Sequence, residues 1–386
     1  MKSFDLDEEA LDQSRQLEAK IVAEIRERGG WMSFARFMEW ALYAPGLGYY
    51  SGGLRKFGRE GDFLTAPEIS PLFGQALANQ AAQVMRLSAP QLLEVGAGSG
   101  RLAGDLLAAL AALGALPERY EILELSGELR TRQAETLRAR VPHLADRVSW
   151  RNDLPEAFSG CVLGNEVLDA MPFQLVVWRG GAIFERGVAL AEAGGFCWED
   201  RPASGRLLEA AQALPVEPPV EGEYLGEIGL ASRAWVSEWG RRLVRGALIL
   251  LDYGYPRPEL YLPTRREGTA QCFHRHRADT ELLALPGLKD ITAFVDFSAM
   301  AEAADEAGLC VEGYTNQANF LANCGLLEGL SGCGESDSLA YLQASRAVQR
   351  LISPGEMGES FKAIAFGREI EEPLIGFMRG DQMHRL

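Results

Sequence analysis

Between Leu17 and Ile25 apolar residues recur at helical spacing among charges (Leu17, Ile21, Val22, Ile25), and Gly29-Gly30 interrupts the pattern. This predicts an amphipathic helix over residues 10–28. Two stretches rich in aromatic residues, glycine and proline follow, FMEWALYAPGLGYYSGG (37–53) and FGREGDFLTAPEISPLFG (57–74), and their breakers mark loops. Residues 73–87 return to helical spacing. The pattern then changes: QLLEVGA (91–97) predicts a strand, GRLAGDLLAALAAL (100–113) a helix, YEILELS (120–126) a strand and 127–140 another helix. RVSW (147–150) and CVLGNEVL (161–168) supply two more strands. Short, continuously apolar strands alternating with helices indicate a parallel sheet covered on both faces.

Two further strand-like runs, FQLVVW (173–178) and AIFERGVAL (182–190), meet at Gly180-Gly181 and predict a hairpin. LPVEPPVEGEY (214–224) reads as a surface connection. The alternation resumes with a helix at 231–244, the strand ALILLDYG (247–254), a helix at 297–309 and the strand CVEGYT (310–315). After a helical insertion at about 317–352, FKAIAFGRE (361–369) is the last strand, expected beside 310–315 in space despite the intervening residues. The fold class is therefore α/β: a seven-stranded, doubly wound, Rossmann-like sheet with added helices and a β-hairpin insertion. No repeat or low-complexity tract is present.

The 386 residues, 47% of them hydrophobic, suffice for one elaborated domain. With 38 Lys and Arg against 54 Asp and Glu, the net charge of -16 argues against nucleic acid as a partner, because tracking phosphates needs a positive field. Six scattered cysteines without a CxxC suggest neither a disulfide framework nor a zinc knuckle. The acidic N-terminal stretch lacks a signal or transit pattern, and no run approaches the roughly 18 apolar residues of a membrane span. A cytoplasmic protein is expected.

The strongest chemical signal is LLEVGAGSGRL (92–102), where a strand ends in a glycine-rich turn and a helix begins. Gly96, Gly98 and Gly100 permit sharp turning and close approach of a ligand, with Glu94 at the end of the strand. A dinucleotide fingerprint would place its third glycine at 101, which is Arg101; the spacing G-x-G-x-G instead matches the loop under the methionine part of S-adenosylmethionine. Glu124, 24 positions beyond Gly100 and followed by Leu125, is placed to accept two ribose hydroxyls, which indicates a nucleoside without choosing among nucleoside cofactors. Asn152 and Asp153 after the third strand suit an adenine edge or, equally, a turn.

GNEVLDAMP (164–172) puts Asn165, Glu166 and Asp169 at the carboxyl end of the fourth strand, where such folds bind ligands. Two carboxylates there suit a cationic acceptor, and helix capping is their alternative role. Cys272, His274 and His276 alternate as if on one strand face, a pattern that invites a metal but lacks a fourth ligand; a basic edge closing the site is the preferred reading. Tyr43, Tyr49 and Tyr50 are candidates for an acceptor pocket or for core.

Taken together, ALYAPGLGYYSGG, GDFLTAPEISPLFG, LLEVGAGSGRL, ILELSGELRTRQ, GNEVLDAMP, LDYGY, GTAQCFHRHR, ITAFVDFSAM and QANFLANCGL resemble the MidA-type methyltransferases, whose mitochondrial members assist assembly of respiratory complex I. The resemblance runs from about residue 30 to 368. It implies an N-terminal extension (1–60) and a class I methyltransferase domain (61–386) with insertions at about 173–230 and 317–352. It also implies S-adenosylmethionine as cofactor, with Thr65, Pro67 and Glu68 in a lid segment beside it and Asn165, Glu166 and Asp169 near the transferred methyl. The acceptor it implies is arginine in a protein, a respiratory-complex subunit among the candidates. A homodimer is left open. Methylation of a small molecule and a non-catalytic assembly factor are the competing readings. An oxidoreductase is disfavoured by Arg101.

Overall fold

The computed structural model describes residues 8–52, 65–217, 221–274 and 277–386. The chain divides into two compact units, each assembled from three stretches: Met1–Phe63, Asp169–Arg233 and Arg257–Asp296 in the first, Leu64–Leu168, Ala234–Pro256 and Phe297–Leu386 in the second.

The second unit is built on the alternating segments. Its strands are β1 (Gln91–Val95), β2 (Arg119–Leu123), β3 (Val148–Arg151), β4 (Phe158–Asn165), β5 (Leu243–Tyr255), β6 (Cys310–Asn316) and β7 (Phe361–Arg368), interleaved with helices α1 (Pro71–Leu87), α2 (Arg101–Ala112) and α3 (Gly127–Arg140). Along one path they run β6-β7-β5-β4-β1-β2-β3. The pairs β5/β4, β4/β1, β1/β2 and β2/β3 are parallel, and β7 is antiparallel to both β5 and β6. So the last strand does lie against 310–315, inserted between it and β5. Among the described residues the sheet is eight-stranded rather than seven-stranded as expected, the additional strand lying off this path.

Ala247 through Leu251 of β5 are all buried, as a strand covered on both faces requires. The strand order reverses between β1 and β4, and in open α/β sheets the crevice beyond the carboxyl ends at that reversal is where ligands bind. Strand ends differ from expectation in a consequential way. The strand expected at 161–168 ends at Asn165, and the one expected at 120–126 ends at Leu123. Glu124 and Glu166 therefore stand just past their strands, their amides still donating to the Arg151 and Leu251 carbonyls of the neighbouring strands.

In the first unit, helix Glu8–Glu27 buries Ala10, Ser14, Leu17, Ile21 and Ile25, one stripe at helical spacing. The stretch read as loop from Phe37 onward begins inside a helix, Phe34–Tyr43, capped by Ser33, whose hydroxyl accepts from the Arg36 amide at 3.3 Å. Strands Gln174–Arg179 and Ala182–Leu190 pair antiparallel across Gly180 and Gly181, at φ 59° and 77°, the left-handed pair that a two-residue hairpin turn demands. They belong to a five-stranded sheet with Trp31–Ser33, Phe196–Pro202 and Tyr224–Ile228, where periodicity showed only the hairpin. Met32, Phe34, Phe37, Phe173, Leu175 and Val188 share one apolar cluster.

A carboxyl is buried inside the sheet core of the second unit. Glu94 on β1 is 1% exposed, and its Oε2 accepts from the Tyr120 hydroxyl at 2.6 Å while Oε1 has no partner among the described residues. Burial pushes its pKa up to about 7. A raised carboxyl pKa contributes stability that is complete below about pH 4.5, the unfolded value, and is lost as pH rises through about 7. Glu94→Gln removes this dependence. In urea melts, its stability relative to the natural protein should rise by about 3 kcal/mol between about pH 4 and pH 8. A difference that stays constant with pH would show that Glu94 titrates in the folded protein as it does in the unfolded chain.

Candidate active site

The glycine loop leaves β1 at the strand-order reversal. Gly96, Gly98 and Gly100 have φ of 67°, 52° and 79°, left-handed values that side chains resist. At Gly100, the N-cap of α2, a Cβ would also come within 2.9 Å of the Gln133 Cα. The loop thus bares its backbone on one side and presses against α3 on the other.

Glu68 is drawn onto this loop. It lies in the short helix Ala66–Ile69, which Thr65 precedes and in which Pro67 is buried. Its Oε1 accepts from the Ser99 hydroxyl at 2.5 Å, and its Oε2 pairs with Arg101 Nη1 at 3.3 Å. Arg101, which breaks the dinucleotide fingerprint, is therefore a clamp between loop and helix.

Glu124 is 8% exposed. Its Oε1 accepts from the Ser126 amide at 2.9 Å and its Oε2 from Gln133 Nε2 at 3.0 Å. Burial raises its pKa, and these hydrogen bonds work in the opposite direction. The Leu125 amide adds a further hydrogen bond to the same carboxylate. Leu125 beside it is 73% exposed, an apolar surface suited to a flat heterocycle. Asn152 is brought to the same place by Arg130, whose guanidinium donates to Asn152 Oδ1 at 2.5 Å, to the Arg151 carbonyl at 2.8 Å and to the Glu124 carbonyl. Asp153 is exposed, and its carbonyl accepts from Arg151 Nε at 2.7 Å, an arrangement of the turn.

At the end of β4, Asn165 Nδ2 donates to Glu166 Oε1 at 3.0 Å, while the buried Asn165 Oδ1 has no partner among the described residues. Glu166 has φ 53°, a conformation rare for a non-glycine residue and found disproportionately at functional sites. It is held by its own amide, which donates to the Leu251 carbonyl at 2.8 Å, and by Asp252, whose Oδ2 accepts from the amides of Val167 and Leu168 at 3.1 and 2.8 Å. The Val167 side chain in turn stands 3.4 Å from where a Cβ on Gly96 would be, so this turn and the glycine loop are adjacent.

Asp169 falls in the first unit and is 7% exposed. There Tyr43 stacks on Tyr50 with ring centres 5.5 Å apart, Tyr49 meets Tyr50 edge-on, and the Tyr50 hydroxyl donates to Asp290 at 2.9 Å. Burial first, then the charge of Asp290 and, more weakly, of Asp169, hold the Tyr50 hydroxyl well above its ordinary pKa. Cys272 and His274 do share a buried strand face. The Cys272 thiol donates to Asp279 at 2.9 Å and His274 Nδ1 lies 2.8 Å from the Leu288 carbonyl, while His276 lies outside the described residues. No group of metal-ligating residues occurs among the described residues.

Gln133, Arg130, Tyr120 and Asp252 were not singled out from sequence. Gln133 had a signal: Leu129, Gln133 and Leu137 are the buried positions of α3, spaced by four, so an amide occupies the middle of an apolar stripe.

Residues 76–315 match a family model described as "Putative S-adenosyl-L-methionine-dependent methyltransferase". The chain is 30% identical to a Danio rerio protein named protein arginine methyltransferase NDUFAF7, mitochondrial, over 90% of this chain and 85% of that one. It is 28% identical to the Drosophila melanogaster homologue, over 94% and 88%. A Burkholderia thailandensis crystal structure bound to S-adenosyl-homocysteine superposes with a TM-score of 0.94, at 48% identity and with 99% of each chain covered. The curated relatives are named as mitochondrial, which overturns the expectation of a cytoplasmic protein. Among the described residues, no helix is long and apolar enough to cross a membrane. With the strand order, the glycine loop and the acid after β2 on one side and these relatives on the other, the chain belongs to this S-adenosylmethionine-dependent methyltransferase family.

Proposed function

We propose that this enzyme methylates an arginine side chain of a protein, with the cofactor held at the crevice between β1 and β4. The observation that carries this reading is the grouping there of a left-handed glycine backbone, a buried acceptor carboxylate and a buried amide oxygen without a partner among the described residues. These fit S-adenosylmethionine: Gly96, Gly98 and Gly100 leave room for its methionine part beside Glu94, Glu124 accepts from its ribose, and Leu125, Asn152 and Asp153 face its adenine. Thr65, Pro67 and Glu68 flank the loop. When bound, the cofactor supplies a methyl group on a sulfonium, already activated for transfer.

The protein's task is then mainly to orient the acceptor and to balance charge. A guanidinium nitrogen has its charge paired by a carboxylate and releases a proton as it gains the methyl. Asn165 Oδ1 accepts an N–H, and Glu166, fixed by its strained backbone, offers the carboxylate. In the first unit, Asp169 and Asp290 with Tyr43 and Tyr50 form an acidic, aromatic grouping that suits a cation. The names of the curated relatives support arginine as acceptor, and the family resemblance supports a respiratory-complex subunit as its carrier.

Calorimetric titration with S-adenosylhomocysteine should show binding that Gly98→Val abolishes without unfolding the protein. Glu124→Ala should weaken it by about 1 to 3 kcal/mol, as when a charged acceptor of two hydrogen bonds is lost; equal affinity in both variants would remove the loop and Glu124 from the cofactor site. With radiolabelled cofactor and protein from extracts as acceptor, hydrolysis of the labelled product should release methylarginine. Asn165→Ala and Glu166→Gln should lower that incorporation by about two orders of magnitude while changing cofactor affinity little. Normal incorporation in both would reduce these residues to shaping the turn.

A further inference from the structure

We infer that Gln133 is a positioning residue of the cofactor site, setting the direction in which Glu124 meets the ribose and tying that acid to the glycine loop. This rests on the assignment of Glu124 to the ribose made above.

Gln133 lies wholly buried on α3, and every polar atom of its amide is engaged. Nε2 donates to the Gly98 carbonyl at 3.1 Å and to Glu124 Oε2 at 3.0 Å, and Oε1 accepts from Trp150 Nε1 at 2.8 Å. The indole can only donate, and the carbonyl and carboxylate can only accept, so the orientation of the amide is dictated by its neighbours. No other side chain of this size donates twice and accepts once at its tip. Leucine and methionine do neither, and glutamate would set an anion against an anion.

Three chain segments meet on this one group: the middle of the glycine loop, the acid after β2 and the indole of β3. Without it, Gly98 would lose the bond that fixes its carbonyl. Glu124 would lose the donor that fixes the direction of Oε2. Proximity of the Gln133 Cα to Gly100 shows that the whole residue, and not its tip alone, is fitted to the loop.

A residue that only supports the fold would, when replaced, weaken every ligand alike; one that aims Glu124 would weaken the ribose contact selectively. The test compares S-adenosylhomocysteine with its 2′-deoxy analogue, by calorimetry, on the natural protein, Gln133→Met and Glu124→Ala. The natural protein should prefer the hydroxylated ligand by at least about tenfold, as expected for a hydrogen bond to a charged acceptor. Gln133→Met should bind S-adenosylhomocysteine about tenfold more weakly and lose most of that preference, approaching Glu124→Ala. A preference retained in full by a folded Gln133→Met overturns the inference while leaving Glu124 in place. Should the natural protein show no preference, the assignment of Glu124 fails and the inference with it. If Gln133→Met does not fold, Trp150→Phe takes its place, since it releases Oε1 and leaves the amide present. A preference reduced by about threefold or more supports the inference, and an unchanged one overturns it.

Discussion

A loop made largely of glycine has no side chains with which to hold its own shape, and so its shape must be imposed by what surrounds it. In this enzyme the surroundings are specific. Glu68 grips Ser99 and Arg101 from one side, Gln133 takes the Gly98 carbonyl from another, and Val167 stands against Gly96. Each gripping residue comes from a different element within Leu64–Leu168 of the second unit, so the loop takes its shape only when these elements have packed together. Order in this backbone is supplied by polar contacts from side chains that are buried or half-buried.

The turn after β4 obeys the same logic with a different device. It contains no glycine beyond Gly164, and Glu166 takes up a left-handed backbone that costs it on the order of 1 kcal/mol or more. Asp252 compensates by accepting two successive amides, and the Glu166 amide finds the Leu251 carbonyl. A strained residue persists only where its surroundings over-determine it, and here a buried carboxylate on the neighbouring strand does so.

Much of this was legible from residue patterns. Continuous apolar strands between helices gave the parallel sheet, and G-x-G-x-G and the position of Glu124 past an apolar strand are the signals on which the proposed cofactor site rests. These features depend on local spacing, which one sequence displays. Asp252 and Tyr120 stayed hidden because their partners are 84 residues and 26 residues away in the chain, and no local period encodes such pairs. Gln133 was visible as an oddity of its helix but could be interpreted only once the loop lay beside it. The helix at Phe34–Tyr43 was missed because its apolar residues are largely aromatic and a proline-glycine turn follows at once, so punctuation outweighed period.

β7 has a meaning for how the chain comes off the ribosome. Synthesised last of the sheet strands, it fills the slot between β5 and β6, both of which emerge earlier. Until then, β5 presents an open edge of strongly apolar sequence, ALILL, to whatever else is in solution. The first unit, by contrast, has all of its stretches once residue 296 has been made. Elongation thus leaves an interval in which one unit has its full sequence and the other has an unprotected strand, the interval in which a chaperone would be of most use.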